Sequence, residues 1–407
     1  MLSDRKTSSI WNPAFIIMLT VNLFNSAGQY MIGSALPKYS NFLGASPVII
    51  GLVTSAFSIS ALLVRPITGS ALDYYNKKIM LTISLALTTV MYTVCAFTDN
   101  VTVLVLTRFI DGIGASVKVP LCLALATEFL PEEKVGSGIG IYSVAQAISS
   151  ALGPGICLDI IEKFGYQASL LFIAFIALIA LILALAIRSG PYARPDRPFA
   201  ISLKNVFAKE ALLPALIVLT LAMPYACTMA YLPIIGELHN VSNIGLYYTV
   251  YSIVLFIGRP LCGKMLDRVH FTRILIPSLI SYAISMVFIS ASDKLSGFLI
   301  AGVFSAMGYG IAHPCLQSLC MKWVQKEKRG ASGNTYYIGV DIGNFTGSLL
   351  TGKFIDTLLA TESEADAYSH AFLLLLIPIA ISLVVTIYAG CRRRMIDNGQ
   401  RKEGLIT

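Results

Sequence analysis

Apolar residues run in long stretches separated by short polar segments. Stretches long enough for a hydrocarbon core of about 30 Å cover 13–36, 48–69, 79–98, 101–126, 136–160, 167–188, 210–235, 245–266, 274–292, 296–322, 332–358 and 370–390. The pattern predicts an all-α membrane protein of twelve transmembrane helices. One polar segment stands apart: 189–209 holds Pro191, Pro195 and Pro198 among basic residues, a composition that breaks helix. It divides the chain into an N-terminal six-helix bundle (1–188), a cytoplasmic linker (189–209) and a C-terminal six-helix bundle with a basic tail (210–407).

The two halves repeat one another. Arg65-Pro66-x-x-Gly69-x-x-x-Asp73 returns 194 residues later as Arg259-Pro260-x-x-Gly263-x-x-x-Asp267. At the same offset Gly51 matches Gly245, Gly114 matches Gly308, Pro120 matches Pro314, Tyr142 matches Tyr336 and Gly153 matches Gly347. Self-similarity of this kind in an apolar chain points to parallel repeats, the architecture of many membrane transporters, with function expected between the halves.

Composition agrees: 56% of residues are hydrophobic and 13% charged, against about 25% charged in a soluble domain. The net charge of +8 is unevenly placed. With the N-terminus inside, the cytoplasmic segments hold 22 Lys and Arg and the external ones only Lys38, Lys163 and Lys294. The positive-inside rule then places both termini in the cytoplasm, in an inner or plasma membrane crossed many times. The tail Arg392-Arg393-Arg394 reads as an anchor at anionic lipid, so no nucleic-acid partner is expected.

Several local patterns carry no chemistry. Arg5 and Lys6 precede an apolar run too long for a signal peptide and interrupted by Asn22, Asn25 and Gln29. Gly347 to Lys353 imitates a phosphate loop, but Phe354 stands where a magnesium-binding hydroxyl is needed and no strand precedes it. The eight cysteines show no metal-ligand spacing, and the formal sequons at Asn100 and Asn240 sit in short loops. No cofactor and no metal are expected, and no HExxH or GxSxG suggests an enzyme.

Three segments carry a family resemblance. Gly69-Ser-Ala-Leu-Asp73-Tyr-Tyr-Asn76-Lys77-Lys78 resembles the loop signature G-x-L-a-D-R-x-G-R-K of the major facilitator superfamily. Arg108-Phe-Ile-Asp111-Gly112-Ile-Gly114-Ala115 is similar to its R-x-x-Q-G-x-G-A motif, and Leu152-Gly153-Pro154 to the Gly-Pro motif of its drug:proton antiporters and other exporters. Tyr74 and Asn76 replace an Arg and a Gly of the first motif, Asp111 replaces the Gln of the second, and Cys157 and Leu158 stand where the exporter motif has glycines. The resemblance implies a transporter fold, with export as the branch.

Physical roles can be read beside it. Asp73 and Asp267 fall at the cytoplasmic mouth, where each carboxylate can latch onto positive helix ends of the opposite bundle. Gly69 and Gly263 permit close helix approach, and Arg65, Lys77, Arg259 and Arg268 complete the gating set. Deep in the spans, where charge is costly, Arg108, Asp111 and Lys118 share neighbouring stripes of the fourth helix. Asn22, Asn25 and Gln29 make a polar stripe on the first. The tenth contributes Tyr309, His313 and Gln317, with Tyr225 another ring able to stack on a solute. Counting about 1.5 Å per residue sets His313 and Asp341 within about 3 Å of one depth, so they can meet. Burial would make Asp341 the proton carrier, with His313 and Asp111 beside it.

Two cations against one acid on the fourth span, and no embedded acid on the first, lean toward an anionic or zwitterionic small solute. The expectation is a secondary active transporter working by alternating access as a monomer, as a proton-coupled exporter. The alternative is an uptake symporter or facilitator for an organic anion or sugar.

Overall fold

A computed structural model describes residues 10–131, 135–187, 207–266, 269–324 and 329–402, and every regular element among them is helical. In order these are α1 (Pro13–Phe42), α2 (Pro47–Tyr74), α3 (Lys77–Ala96), α4 (Val101–Glu128), α5 (Val135–Ala186), α6 (Leu212–Leu238), α7 (Leu246–Leu266), α8 (Thr272–Ala291), α9 (Leu295–Ser305), α10 (Ile311–Lys322), α11 (Arg329–Leu358), α12 (Glu364–Leu374) and α13 (Leu376–Lys402).

Short polar side chains start the helices. Asn12 accepts from the Phe15 N–H at 2.8 Å, Asn76 from Lys78 and Ile79 at 3.0 and 3.2 Å, and Asn100 from Thr102 at 2.9 Å. Each fills an orphan donor of a first turn. The sequon residue Asn100 is therefore the N-cap of α4. The other, Asn240, takes a left-handed φ of 54° just past α6, a conformation asparagine tolerates better than most residues.

Nine helical stretches among the described residues are long and apolar enough to cross a membrane. The stretch Val144–Ala186 is 43 residues long, about 65 Å of helix at 1.5 Å per residue and twice a hydrocarbon core. It breaks at Gly165, whose φ of 83° and ψ of 173° only glycine adopts readily. α11 is less apolar because Gly, Asn, Asp and Lys dilute it, and α7 offers the shorter apolar run Leu246–Gly258.

The chain forms two compact units, Met1–Ala45 with Ala56–Ser202, and Ser46–Ser55 with Leu203–Thr407. In the first unit α1 lies along α5 and touches α4, and α3 packs on both α4 and α5. Phe15, Met18 and Val21 of α1 meet Leu85 of α3, Leu121 and Leu125 of α4 and Ala180 and Ala184 of α5 in its core.

In the second unit α6 packs on α11 and α13, α8 on α9, α12 and α13, and α10 on α11. Gly339, Gly343 and Gly347 form a four-residue ladder on α11. A Cβ at each would overlap the backbone at Ala215, Leu219 and Met223 respectively, themselves four apart on α6. Small residues here let two backbones touch, which is how membrane helices gain packing when water cannot drive them together.

Candidate functional site

The first unit buries a charge cluster built from one helix. Arg108 and Asp111 stand one turn apart on α4, and Arg108 Nη1 lies 3.0 Å from Asp111 Oδ2. Lys118 starts two turns further on, but helical side chains lean toward the N-terminus. Its long stem brings Nζ back to 3.3 Å from Asp111 Oδ1. Thr88 of α3 closes the ring: Lys118 Nζ donates to its hydroxyl at 2.5 Å, and that hydroxyl donates to Asp111 Oδ1 at 2.8 Å. Both carboxylate oxygens are occupied.

Exposure is 5% for Arg108 and 1% each for Asp111 and Lys118. The arrangement needs a close α2–α4 approach. Gly112 supplies it, since a Cβ there would overlap the Phe57 carbonyl, and the Arg108 guanidinium sits 4.5 Å from the Phe57 ring centroid. Two basic side chains share one carboxylate at a place closed to water. Thr88 and Phe57 were not signalled by the sequence, because a lone threonine or phenylalanine in an apolar run looks like packing.

Span one divides in two. The Asn22 amide donates to the Tyr142 carbonyl of α5 at 3.3 Å and its oxygen accepts from Ser26 at 3.3 Å, which ties α1 to α5. Asn25 is buried at 7% exposure, and Gln29, one turn on, is half-buried.

The second unit gathers rings. Between α9 and α10, Ala306–Gly310 form one π turn. Pro314 accounts for it, because its ring would clash with the Gly310 carbonyl four residues back, and widening the turn relieves the clash. The turn carries Tyr309, stacked on Tyr225 of α6 with centroids 4.4 Å apart at 13°. His313 follows, 5.3 Å from Tyr309 and 5.4 Å, edge-on, from Tyr336 of α11. Gln317, on the same face of α10, donates to the Tyr337 hydroxyl at 3.2 Å. Asp341, 5% exposed, lies one turn beyond Tyr337 on α11. His313 and Gln317 thus share a ring-lined wall with α11, and both are only half-buried.

Of the expected gating residues, Lys77 forms an ion pair with Glu128, which joins the start of α3 to the end of α4. Arg65 is half-buried on α2, and Gly69, Asp73, Arg259 and Gly263 are in helix. Asp267 and Arg268 lie outside the described residues, as does 189–206 of the linker.

Charges buried on the helices of a multi-pass helical protein mark a functional path through it, the setting of a transporter. The chain belongs to the Major Facilitator Superfamily, whose model matches residues 18–242 and 212–403. It is 26% identical over 364 residues to the multi-drug resistance efflux pump PmrA of Streptococcus pneumoniae, covering 84% of this chain and 90% of that one. It is 23% identical over 356 residues, with the same coverage, to the quinolone resistance protein NorA of Staphylococcus aureus. In fold it resembles a crystal structure of the nucleoside transporter NupG, with a TM-score of 0.78 at 11% identity over 92% of this chain and 99% of that one. It also resembles a bacterial homologue of the human lysosomal transporter Spinster, with a TM-score of 0.74 at 15% identity over 93% and 96% of the two chains.

Proposed function

We propose that the chain is a twelve-span secondary active transporter of two six-helix bundles with both termini cytoplasmic, and that it exports a small anionic or zwitterionic organic solute in exchange for protons. Efflux is favoured by the likeness to PmrA and NorA, named as efflux and resistance proteins. The observation that carries the solute's charge is the buried cluster on α4, where Arg108 and Lys118 outnumber Asp111. A dry site with one excess positive charge attracts an anion more strongly than a wet one does. Tyr309, His313 and Gln317 supply rings and hydrogen bonds for the organic body, with Asn25 and Gln29 on α1. Asp341 is the proton carrier.

The test is a panel of organic anions, zwitterions, cations and neutral solutes of matched size, offered to proteoliposomes. Anionic or zwitterionic members should be taken up and compete with one another. Uptake restricted to cations or neutral solutes would overturn the assignment of charge.

A further inference from the structure

The first turns of α2 are docked on α11 and α6 by four features of one small region. Tyr231 of α6 is fully buried, and its hydroxyl shares its proton between the carbonyls of Pro47, at 3.1 Å, and Ser348, at 2.8 Å. A Cβ on Gly51 would overlap the Ser348 carbonyl, and one on Gly352 would overlap the Pro47 carbonyl, so the two backbones touch only because both positions are glycine. The fourth feature is a charge. Asp356 of α11 lies one turn beyond Gly352, whose backbone abuts Pro47, so its carboxylate stands beside the Val48 N–H, one of the orphan donors at the start of α2.

A carboxylate beside a helix N-terminus is attracted by the positive end of the dipole. Nothing else charged contributes from α2, whose first turns, Pro47 to Ala56, hold no ionisable residue. The groups that face Asp356 are Tyr231 from α6 and Tyr368 from α12, with Glu364 of α12 acting on Tyr368. On its own helix the nearest is Lys353, three residues back, exposed and not ion-paired to it. The hold of α11 on the α2 terminus therefore depends on whether one carboxyl carries a proton.

We propose that Asp356 is a second proton-binding site of this chain: ionised, it holds the first turns of α2 on α11, and protonated from the outer medium, it lets them go. The chemistry is one proton added to one carboxylate. The neutral acid keeps a weaker acceptor but loses the charge–dipole attraction, while Tyr231 and the glycine contacts remain, so the dock is loosened rather than abolished. The outer location and the use of protons rest on the transport reading above. The device would let an external proton loosen the outer end of α2 before any proton reaches Asp341.

The experiment needs no solute. Ile50, buried at 0% exposure in the docked turns, is replaced by cysteine and labelled from outside with a membrane-impermeant thiol reagent. The rate is divided by that of a cysteine at Phe42, which is 67% exposed, to cancel the reagent's own pH dependence. The ratio should rise about two- to fivefold from pH 8 to pH 5, the size expected for losing one solvent-accessible charged contact at a helix terminus. In Asp356→Asn it should be high and flat, in Asp356→Glu the slope should return, and in Tyr231→Phe the ratio should be higher throughout with its slope kept. A flat ratio in the parent protein, or an unchanged slope in Asp356→Asn, would overturn the proposal. Either result with gradient-driven transport intact retires the dock alone, whereas a preserved slope without such transport counts against the transport reading.

Discussion

Asp111 is the residue on which the buried cluster of the first unit turns, since it alone answers two cations with both of its oxygens. Asp111→Asn leaves Arg108 and Lys118 facing each other across a neutral amide, and stability in detergent should fall by about 3–5 kcal/mol. Lys118→Met leaves a balanced Arg108–Asp111 pair and fills the same volume, so its stability should stay within about 1 kcal/mol of the parent. Thermal unfolding of the two variants checks the order, and equal losses would mean that Lys118 is needed to hold the fold. If the excess charge recruits the solute, Lys118→Met should raise the half-saturation concentration for an anionic solute at least about tenfold while leaving a folded protein. On α11, Asp341→Asn mimics the protonated acid and keeps its shape. It should bind solute yet fail to accumulate it on a pH gradient, and accumulation at the parental rate would reduce Asp341 to a packing group.

At the scale of the element, the glycine ladder of α11 against α6 gives a sharp contrast. Gly343→Ala drives a methyl into the Leu219 carbonyl and should cost about 1–3 kcal/mol, whereas Gly33→Ala on α1 meets nothing within 4 Å and should be neutral or better. Equal melting temperatures for the two would contradict the close approach. Elements are also where legibility in the sequence begins and ends. Apolar length announced most helices, and the polar gap at 161–166 marked the place where Gly165 breaks α5, because hydrophobic length and glycine act locally. α11 was read as the span 332–358 even though the glycines and polar groups that let it pack dilute its hydropathy. The kink-prone Pro314 could be read directly, but the π turn that absorbs it depends on neighbours. Arg108, Asp111 and Lys118 were legible as neighbours on one helix, because spacing on a single helix fixes their approach. Thr88 and Phe57 come from other helices and were not.

For the whole molecule, the duplicated phrase around Arg65 and Arg259 argues that one gating device serves both halves. If Asp73 latches onto the opposite half, Asp73→Asn should raise cysteine labelling from the cytoplasmic side by about two- to fivefold, the size of a surface charge–dipole contact. Unchanged labelling in a folded Asp73→Asn/Asp267→Asn double variant would remove the latch. The central claim, proton-driven export of an anionic or zwitterionic solute, meets its most direct test in proteoliposomes with a pH-sensitive dye in the lumen and an imposed pH difference of either sign. With the lumen acid, an antiporter should accumulate the solute above its outside concentration while the dye reports protons leaving, and Asp341→Asn should do neither. Accumulation only when the outside is acid, or solute movement that ignores the pH difference, would contradict it.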